Sequence, residues 1–262
     1  MLVVKYGGNA LPKSGEMNPV LEAIGDAFID GDQVVLIHGG GPQIDEALGE
    51  KGLGKERLGG YRITTPEVML TVEAVLCGQV LRSIVNYLIG SEVNAVGITA
   101  SDGGTVLAQK MKPIVDGKNV DIGLVGEVVE VNPDLLLTLI KTGFLPVVSP
   151  IAIDDQGVTL NVNADLIAGA IGGALKADQV VFLTDVDGIF SDWPNRESLI
   201  EKATVKELEN LLPSLAEGMV PKVTAVINAV KSGAKSARIA NGTNLKSVLD
   251  AFAGFGGTVV VA

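Results

Sequence analysis

The sequence predicts an α/β fold: an open, mostly parallel sheet with helices on both sides. Three observations predict it. Short apolar runs alternate with helically spaced segments from one end of the chain to the other, the order expected of parallel strands joined by crossover helices. The strand candidates are apolar throughout and rich in β-branched residues, as strands covered on both faces are. The chain has 262 residues, 47% of them hydrophobic. A chain of that length buries roughly 70–75% of the surface its unfolded form exposes, so its core needs no disulfide or structural metal.

Leu2-Val3-Val4 is the first strand, ended by Gly7-Gly8. Leu21, Ile24, Ala27 and Phe28 give residues 20–29 helix spacing, and Gln33 to Ile37 form the second strand. Gly39-Gly40-Gly41-Pro42 then opens a helix through Ala47. Thr64-Thr65-Pro66-Glu67 is a helix start, with a hydroxyl cap, proline in the first turn and an acid near the positive end of the dipole. The helix it opens carries Val68, Val72, Val75, Leu76, Val80, Ile84 and Leu88, and its wide apolar stripe is either central or part of a subunit interface. Residues 94–98 read as a strand, and 104–131, rich in Val and Gly with a turn at Val115-Asp-Gly-Lys118, as antiparallel ribbons. A helix at 134–141, a strand at 145–148, a hairpin turn at Asp154–Gly157, a small-residue helix at 164–175 and a strand at 179–183 follow. Helices at 205–212, 220–232 and 245–253 and strands at 236–240 and 258–261 finish the chain. The expected division is two lobes on one continuous sheet, parting near residue 177.

Composition excludes several function classes. Lys and Arg number 20 against 31 Asp and Glu, a formal charge of −11. Without a basic run there is no footprint for a phosphate backbone, and an anionic membrane surface repels such a chain. No stretch approaches 18 uninterrupted apolar residues, so no bilayer span is expected, and the N-terminal residues lack the pattern of a secretory signal. The chain is therefore expected in the cytoplasm. One cysteine, Cys77, and one histidine, His38, exclude zinc fingers, iron–sulfur clusters and histidine-built metal sites, and no metal-ligating residues are assigned.

Three glycine-rich turns each follow an apolar strand: Lys5-Tyr6-Gly7-Gly8, His38-Gly39-Gly40-Gly41-Pro42 and Asp185-Val186-Asp187-Gly188. A strand that ends in glycine before a helix exposes backbone N–H groups that attract anions. One such turn is as readily a plain tight connection; three at the same edge of a sheet favour a phosphate or carboxylate site. The phosphate-loop pattern G-x-x-x-x-G-K-[ST] and a G-x-G-x-x-G after the first strand are both absent. Lys5 closes a strand just before Gly-Gly. Lys222 sits at a helix start, where a cation opposes the dipole unless an anion shares that helix end. Asn161, Asn163 and Asp165 alternate into the small-residue helix, as a polar face or as a cap. Arg62 is placed either to fork onto a carboxylate or to lie on the surface.

The ordered set VVKYGGNAL (3–11), VVLIHGGGPQI (34–44), GYRITTPEVM (60–69), VGITASDGG (96–104), GLVGEVVEVN (123–132), GFLPVVSPIA (143–152), LNVNADLIAGAIGGAL (160–175), LTDVDGIF (183–190) and EGMVPKVTAVINAV (217–230) resembles the amino acid kinase family. The R-I-T before the long helix and the N-V-N-A-D block resemble the branch that acts on N-acetyl-L-glutamate rather than carbamate or uridylate kinases. The resemblance implies a three-layer αβα sandwich around a mostly parallel eight-stranded sheet. Residues 1–177 would form an N-lobe for amino-acid substrate and dimerisation, and 178–262 a C-lobe for ATP. It implies transfer of phosphate from ATP to the side-chain carboxylate of N-acetyl-L-glutamate, the second step of arginine synthesis, with Mg²⁺ held mainly by the phosphates.

By the same resemblance, Lys5 and Lys222 stabilise the transferring phosphoryl group and Asp165 organises them. Gly8, Gly40 and Gly41 face acceptor and γ-phosphate with backbone donors. Arg62, Asn161 and Asn163 hold the acceptor. Gly7, Gly8 and the stretch Thr184, Asp185, Val186, Asp187, Gly188 and Ile189 meet the nucleotide. The chemistry is consistent with few histidines, because a carboxylate nucleophile needs no general base and phosphoryl transfer asks chiefly for positioning and charge neutralisation.

Where many relatives have Asn after G-x-V in the long helix, this chain has Leu81. Arginine-inhibited relatives read D-G-R and E-G-x-G-T near the end and carry a helix before the first strand. This chain reads Asn241-Gly242-Thr243 and Gly254-Phe-Gly-Gly-Thr258, and its first strand begins at residue 2. The expectation is a homodimer built on helix 66–88 with weak or absent arginine feedback. Two other readings stay open: a kinase for aminoadipate or glutamate linked to an acidic carrier protein, which would need a basic docking mouth, and a non-catalytic amino-acid sensor, which would have no use for two transfer lysines.

Overall fold

A computed structural model describes residues 1–7, 18–115, 118–215 and 219–262. At its centre is an eight-stranded sheet. In chain order its strands are β1 (Leu2–Tyr6), β2 (Val34–His38), β5 (Ala95–Thr99), β10 (Leu145–Ser149), β13 (Gln179–Thr184), β16 (Lys202–Thr204), β17 (Ala237–Asn241) and β18 (Thr258–Val261). They lie side by side as β16-β18-β17-β13-β1-β2-β10-β5. From β17 to β5 every neighbouring pair is parallel. β18 runs antiparallel to β17, and β16 follows β18.

The two faces of β1 explain why it is apolar throughout. Leu2, Val4 and Tyr6 pack into one core with helices α1 (Pro19–Ile29), α2 (Gly41–Glu50), α3 (Pro66–Gly90) and α8 (Leu245–Phe252). Val3 packs into the other with α4 (Asp134–Lys141), α5 (Ala164–Ala174), α6 (Val205–Leu211) and α7 (Val220–Lys231). The expected three-layer αβα sandwich is what these two cores describe.

Residues 106–131 do pair antiparallel, through β6 (Val106–Lys110) and β9 (Val125–Val131). They go further than the pattern foretold: with β11 (Ile151–Ile153) and β12 (Thr159–Val162) they close into a four-stranded barrel beside the sheet. Two residues of the expected turn at 115–118 lie outside the described residues. The strands flanking it, β7 (Ile114–Val115) and β8 (Lys118–Asn119), pair antiparallel. Small two-stranded units also join β3 (Arg57–Leu58) to β4 (Tyr61–Arg62) and β14 (Ile189–Phe190) to β15 (Leu199–Ile200).

Helix α3 departs from a regular α-helix at its middle, and of the two places expected for its stripe it takes the central one. Residues Ala74–Val80 are wound as a π-helix, with the Leu81 N–H donating to the Leu76 carbonyl five residues back. All seven residues of the predicted stripe are buried within this chain's own core, so the stripe is spent on the sheet. The outward side is short or polar, with Ala74, Gly78, Arg82 and Asn86 exposed and Leu70 71% exposed. Among the described residues α3 is also the helix with the length and hydropathy of a bilayer span. Its buried stripe makes it a core helix.

Candidate functional site

The three glycine-rich turns meet because β13, β1 and β2 are adjacent and parallel, so their C-terminal ends open on one side of the sheet. Crevices at such strand ends are where α/β sheets bind ligands. Here they border a cavity of about 950 Å³. Its lining includes Gly7, Gly40, Gly41, Arg62, Asn161, Asn163, Thr184, Asp185, Val186, Gly188 and Ile189, together with Lys5, Asp165 and Lys222. Two expected members are placed otherwise. Gly8 lies outside the described residues. Asp187 is not in the lining: its carboxylate accepts from the Asn241 amide at 2.8 Å and sits 3.9 Å from Arg196.

Lys5, on β1, projects toward the N-terminus of α5. Its Nζ lies 2.8 Å from Asp165 Oδ1, and Lys222 Nζ lies 3.3 Å from Asp165 Oδ2. Asp165 is almost fully buried and Lys5 is 7% exposed. Burial alone would push the Asp165 carboxyl up; the two ammonium groups outweigh it and hold the carboxyl below its ordinary range. One buried anion thus gathers two cations and leaves the cluster with a net positive charge facing the cavity.

Small residues on α5 make this convergence possible. A Cβ on Gly169 would lie 2.6 Å from the Ala225 carbonyl of α7, so only glycine lets the two helices approach this closely. That approach carries the N-terminal turn of α7, with Lys222 in it, to Asp165. Asn163 caps α5, its side-chain oxygen accepting from the Asp165 and Leu166 N–H groups at 2.8 and 3.4 Å. The helix ends of α2 and α7 have no side-chain cap. Their first N–H groups are therefore donors without an intrahelical partner, and both ends border the cavity.

Arg62 is buried and pairs with Asp45 on α2, Nη2 to Oδ1, at 2.7 Å. Its Nη1 has no hydrogen-bond partner. Arg57 holds the other oxygen of Asp45 at 2.8 Å. Burial pushes the Asp45 carboxyl up, but the two guanidinium groups prevail and lower it. The strand that carries Arg62 is fixed by Thr64, whose N–H donates to the Ile122 carbonyl and whose carbonyl accepts from Leu124. The Thr64 hydroxyl also accepts from the Asn161 amide at 3.2 Å. Arg62 and Asn161 are thereby held on one wall.

Several residues on or behind the lining escaped the sequence reading. Asp45 and Arg57 carry no motif of their own. Leu76 enters from the π turn, and a Cβ on Gly40 would stand 2.6 Å from its Cδ2, so Gly40 is required by α3 as well as by its own turn. Phe190, Asp192 and Trp193 extend the side of the cavity formed by the turn at 184–189. Chemically, the arrangement can surround two anions with ammonium, guanidinium and backbone N–H groups while leaving no general base at the centre.

The amino acid kinase family model matches residues 1–241. Curated relatives named acetylglutamate kinase include one from Saccharopolyspora erythraea, 46% identical over 95% of this chain and 82% of its own length. Another, from Rhodococcus jostii, is 45% identical over 99% of this chain and 85% of its own. Among solved structures, N-acetylglutamate synthase from Neisseria gonorrhoeae, complexed with coenzyme A and N-acetyl-glutamate, superposes with a TM-score of 0.84 at 24% identity. That match covers 100% of this chain and 59% of the synthase chain. Giardia carbamate kinase gives 0.70 at 18%, covering 99% and 98%. At those identities the two structures speak to the fold.

Proposed function

Because this chain belongs to the amino acid kinase family, we propose that it is an ATP-dependent kinase for the side-chain carboxylate of N-acetyl-L-glutamate, in arginine synthesis. The curated relatives are named for that reaction. The observation that carries the reading in this chain is the pair of ammonium groups, 217 residues apart in sequence (222 − 5), on the two oxygens of Asp165.

One oxygen of the acceptor carboxylate forms a bond to the γ-phosphorus as the bond to the bridging oxygen of ADP breaks. The products are an acyl phosphate and ADP, and no proton moves. Two anions must approach, so the cost is repulsion, and Lys5 and Lys222 offset it as charge spreads over the phosphoryl oxygens. Asp165 keeps both ammonium groups aimed at that point. The backbone N–H groups at Gly40 and Gly41 receive the phosphoryl oxygens. Arg62 takes the α-carboxylate of the acceptor, and Asn161, with Asn163 beside it, takes the acetamido group. Gly7 and residues 184–189, less Asp187, form the nucleotide wall.

Mg²⁺ supplies neutralisation of the β- and γ-phosphates when bound. The cation would be coordinated chiefly by phosphate and water, and Asp185, one of the carboxylates on the lining, would help to hold it. The lobe division near residue 177 assigns acceptor binding to the first part and ATP to the second. The homodimer we propose uses the outward face of α3, around Leu70, rather than the buried stripe. A free half-buried thiol at Cys77 accords with a reducing cytoplasm.

The experiment is ADP release, with ATP and Mg²⁺, from N-acetylglutamate, glutamate, aspartate and 2-aminoadipate. N-acetylglutamate is expected to be turned over far faster than the others. Equal turnover of unacetylated glutamate overturns the acceptor assignment.

A further inference from the structure

The nucleotide side of the cavity has an aromatic rim that no step of the phosphoryl transfer uses. Trp193 lies on the lining and is 58% exposed. Phe190, also on the lining, meets it edge-on, with ring centroids 5.2 Å apart and planes at 63°. That geometry leaves an indole face turned away from its one ring neighbour, and it is a favourable aromatic pairing.

The loop bearing Trp193 is tied down on both sides. Phe190 pairs with Leu199 in the β14–β15 hairpin. The Ser191 N–H donates to the Ser198 carbonyl at 3.0 Å, and the Asp192 N–H to the Ser198 hydroxyl at 3.1 Å. The Ser198 hydroxyl donates to the Asn195 carbonyl at 2.6 Å, and the Asn195 N–H to the Asp192 carbonyl at 2.8 Å. An exposed indole held by so bonded a loop loses little freedom when a flat ligand covers it, and burying its face gives a favourable apolar term. Leu215 and Met219 line the same cavity, adding apolar surface to it.

We propose that Trp193, braced by Phe190, is the stacking platform for the purine base of the nucleotide. The inference rests on the kinase reading above, because it needs a nucleotide whose phosphates lie at Lys5 and Lys222. Base stacking on an aromatic face holds the ring without reading its edge. Trp193 therefore sets nucleotide affinity and does not enter the chemical step.

Trp193 is the chain's single tryptophan, so its fluorescence reports on this position alone. ADP is expected to quench and shift the emission, and tripolyphosphate, which has no base, to leave it unchanged. Trp193→Ala should raise the ATP KM tenfold or more, with kcat within threefold and the acceptor KM unchanged. Trp193→Phe should recover the ATP KM to within about threefold of the parent. Emission that ignores saturating ADP, equal quenching by tripolyphosphate, or an ATP KM within twofold in Trp193→Ala overturns the platform. A parent protein that releases no ADP with any acceptor overturns the kinase reading instead. ADP quenching is scored independently of turnover, so the two failures are distinct.

Discussion

Arg62 Nη2 lies 2.7 Å from Asp45 Oδ1, while Nη1 of the same guanidinium has no partner. A protein carboxylate thus occupies half of the fork proposed to receive a substrate carboxylate. Asp45→Asn removes that counter-charge from a buried arginine. The apo protein should lose about 1–3 kcal/mol, less than a fully buried pair would because Asp45 is partly exposed. N-acetylglutamate should stabilise the variant more than it stabilises the parent, since the incoming carboxylate no longer faces Asp45. Urea unfolding of both proteins with and without the acceptor measures this; a smaller acceptor shift in the variant would make Asp45 a brace and not a placeholder.

Lys5→Ala and Lys222→Ala should each lower kcat by about 10²-fold or more, the order seen when a charge-stabilising donor is lost. Lys5→Ala also strands part of the Asp165 charge in a buried site. It should therefore unfold at lower urea than Lys222→Ala, whose side chain is 23% exposed. Coupled ADP assays and urea midpoints on both variants check the pair; near-parent rates in both would remove the lysines from the transfer step.

Gly169→Ala tests how the lysines are brought together. The added methyl meets the Ala225 carbonyl, so α5 and α7 must separate. Overpacking of this kind costs about 1–3 kcal/mol. Widening should also loosen the contact between Lys222 and Asp165, lowering kcat at least tenfold while the acceptor KM stays within threefold. A variant that is destabilised but catalytically normal would show that Lys222 follows Asp165 regardless of helix spacing.

His38 is fully buried, and burial lowers its pKa from the ordinary 6.5 to about 4, against the bond its Nδ1 makes with the Gly39 carbonyl. The unfolded chain therefore binds a proton that the folded protein refuses between about pH 6.5 and pH 4. The His38 contribution is complete above 6.5 and fades as pH falls through that window, by roughly 3 kcal/mol over its whole width. His38→Asn should flatten the fall in urea midpoint between pH 7 and 4.5 relative to the parent. Parallel pH profiles would show that His38 does not titrate as its burial requires.

Much of this architecture was legible in one dimension, for identifiable reasons. β1 and β2 could be read because strands buried on both faces have few sequence alternatives. The three glycine turns could be read because strand ends near ligands need bare backbone. Lys5, Asp165 and Lys222 stood out by position, yet only the resemblance joined them. Their meeting depends on α5 packing against α7, a contact between segments some 57 residues apart at the site.

What stayed hidden was tertiary. The four-stranded barrel needs β6 to find β11, and no local pattern encodes that pairing. Asp187 shares its turn with lining residues but faces Asn241, a choice made by a neighbouring strand. The π turn did leave a trace. The run 68-72-76-80-84-88 advances by four at every step, whereas an α-helix turns once in about 3.6 residues. Over that run an undistorted helix would carry the stripe about half a turn off the core, and the wider winding at 74–80 keeps it in place.

A π turn is an α-helix with a surplus residue accommodated as a local swelling. Excision of one residue between Ala74 and Val80 should therefore let the coil relax without rotating the flanking halves, and both should stay seated on the sheet. The penalty would fall on Leu76 and its abutment with the turn at Gly40. This stretch of the longest helix among the described residues is thus a place where loss of a single amino acid should keep the fold while retuning the cavity wall at Leu76.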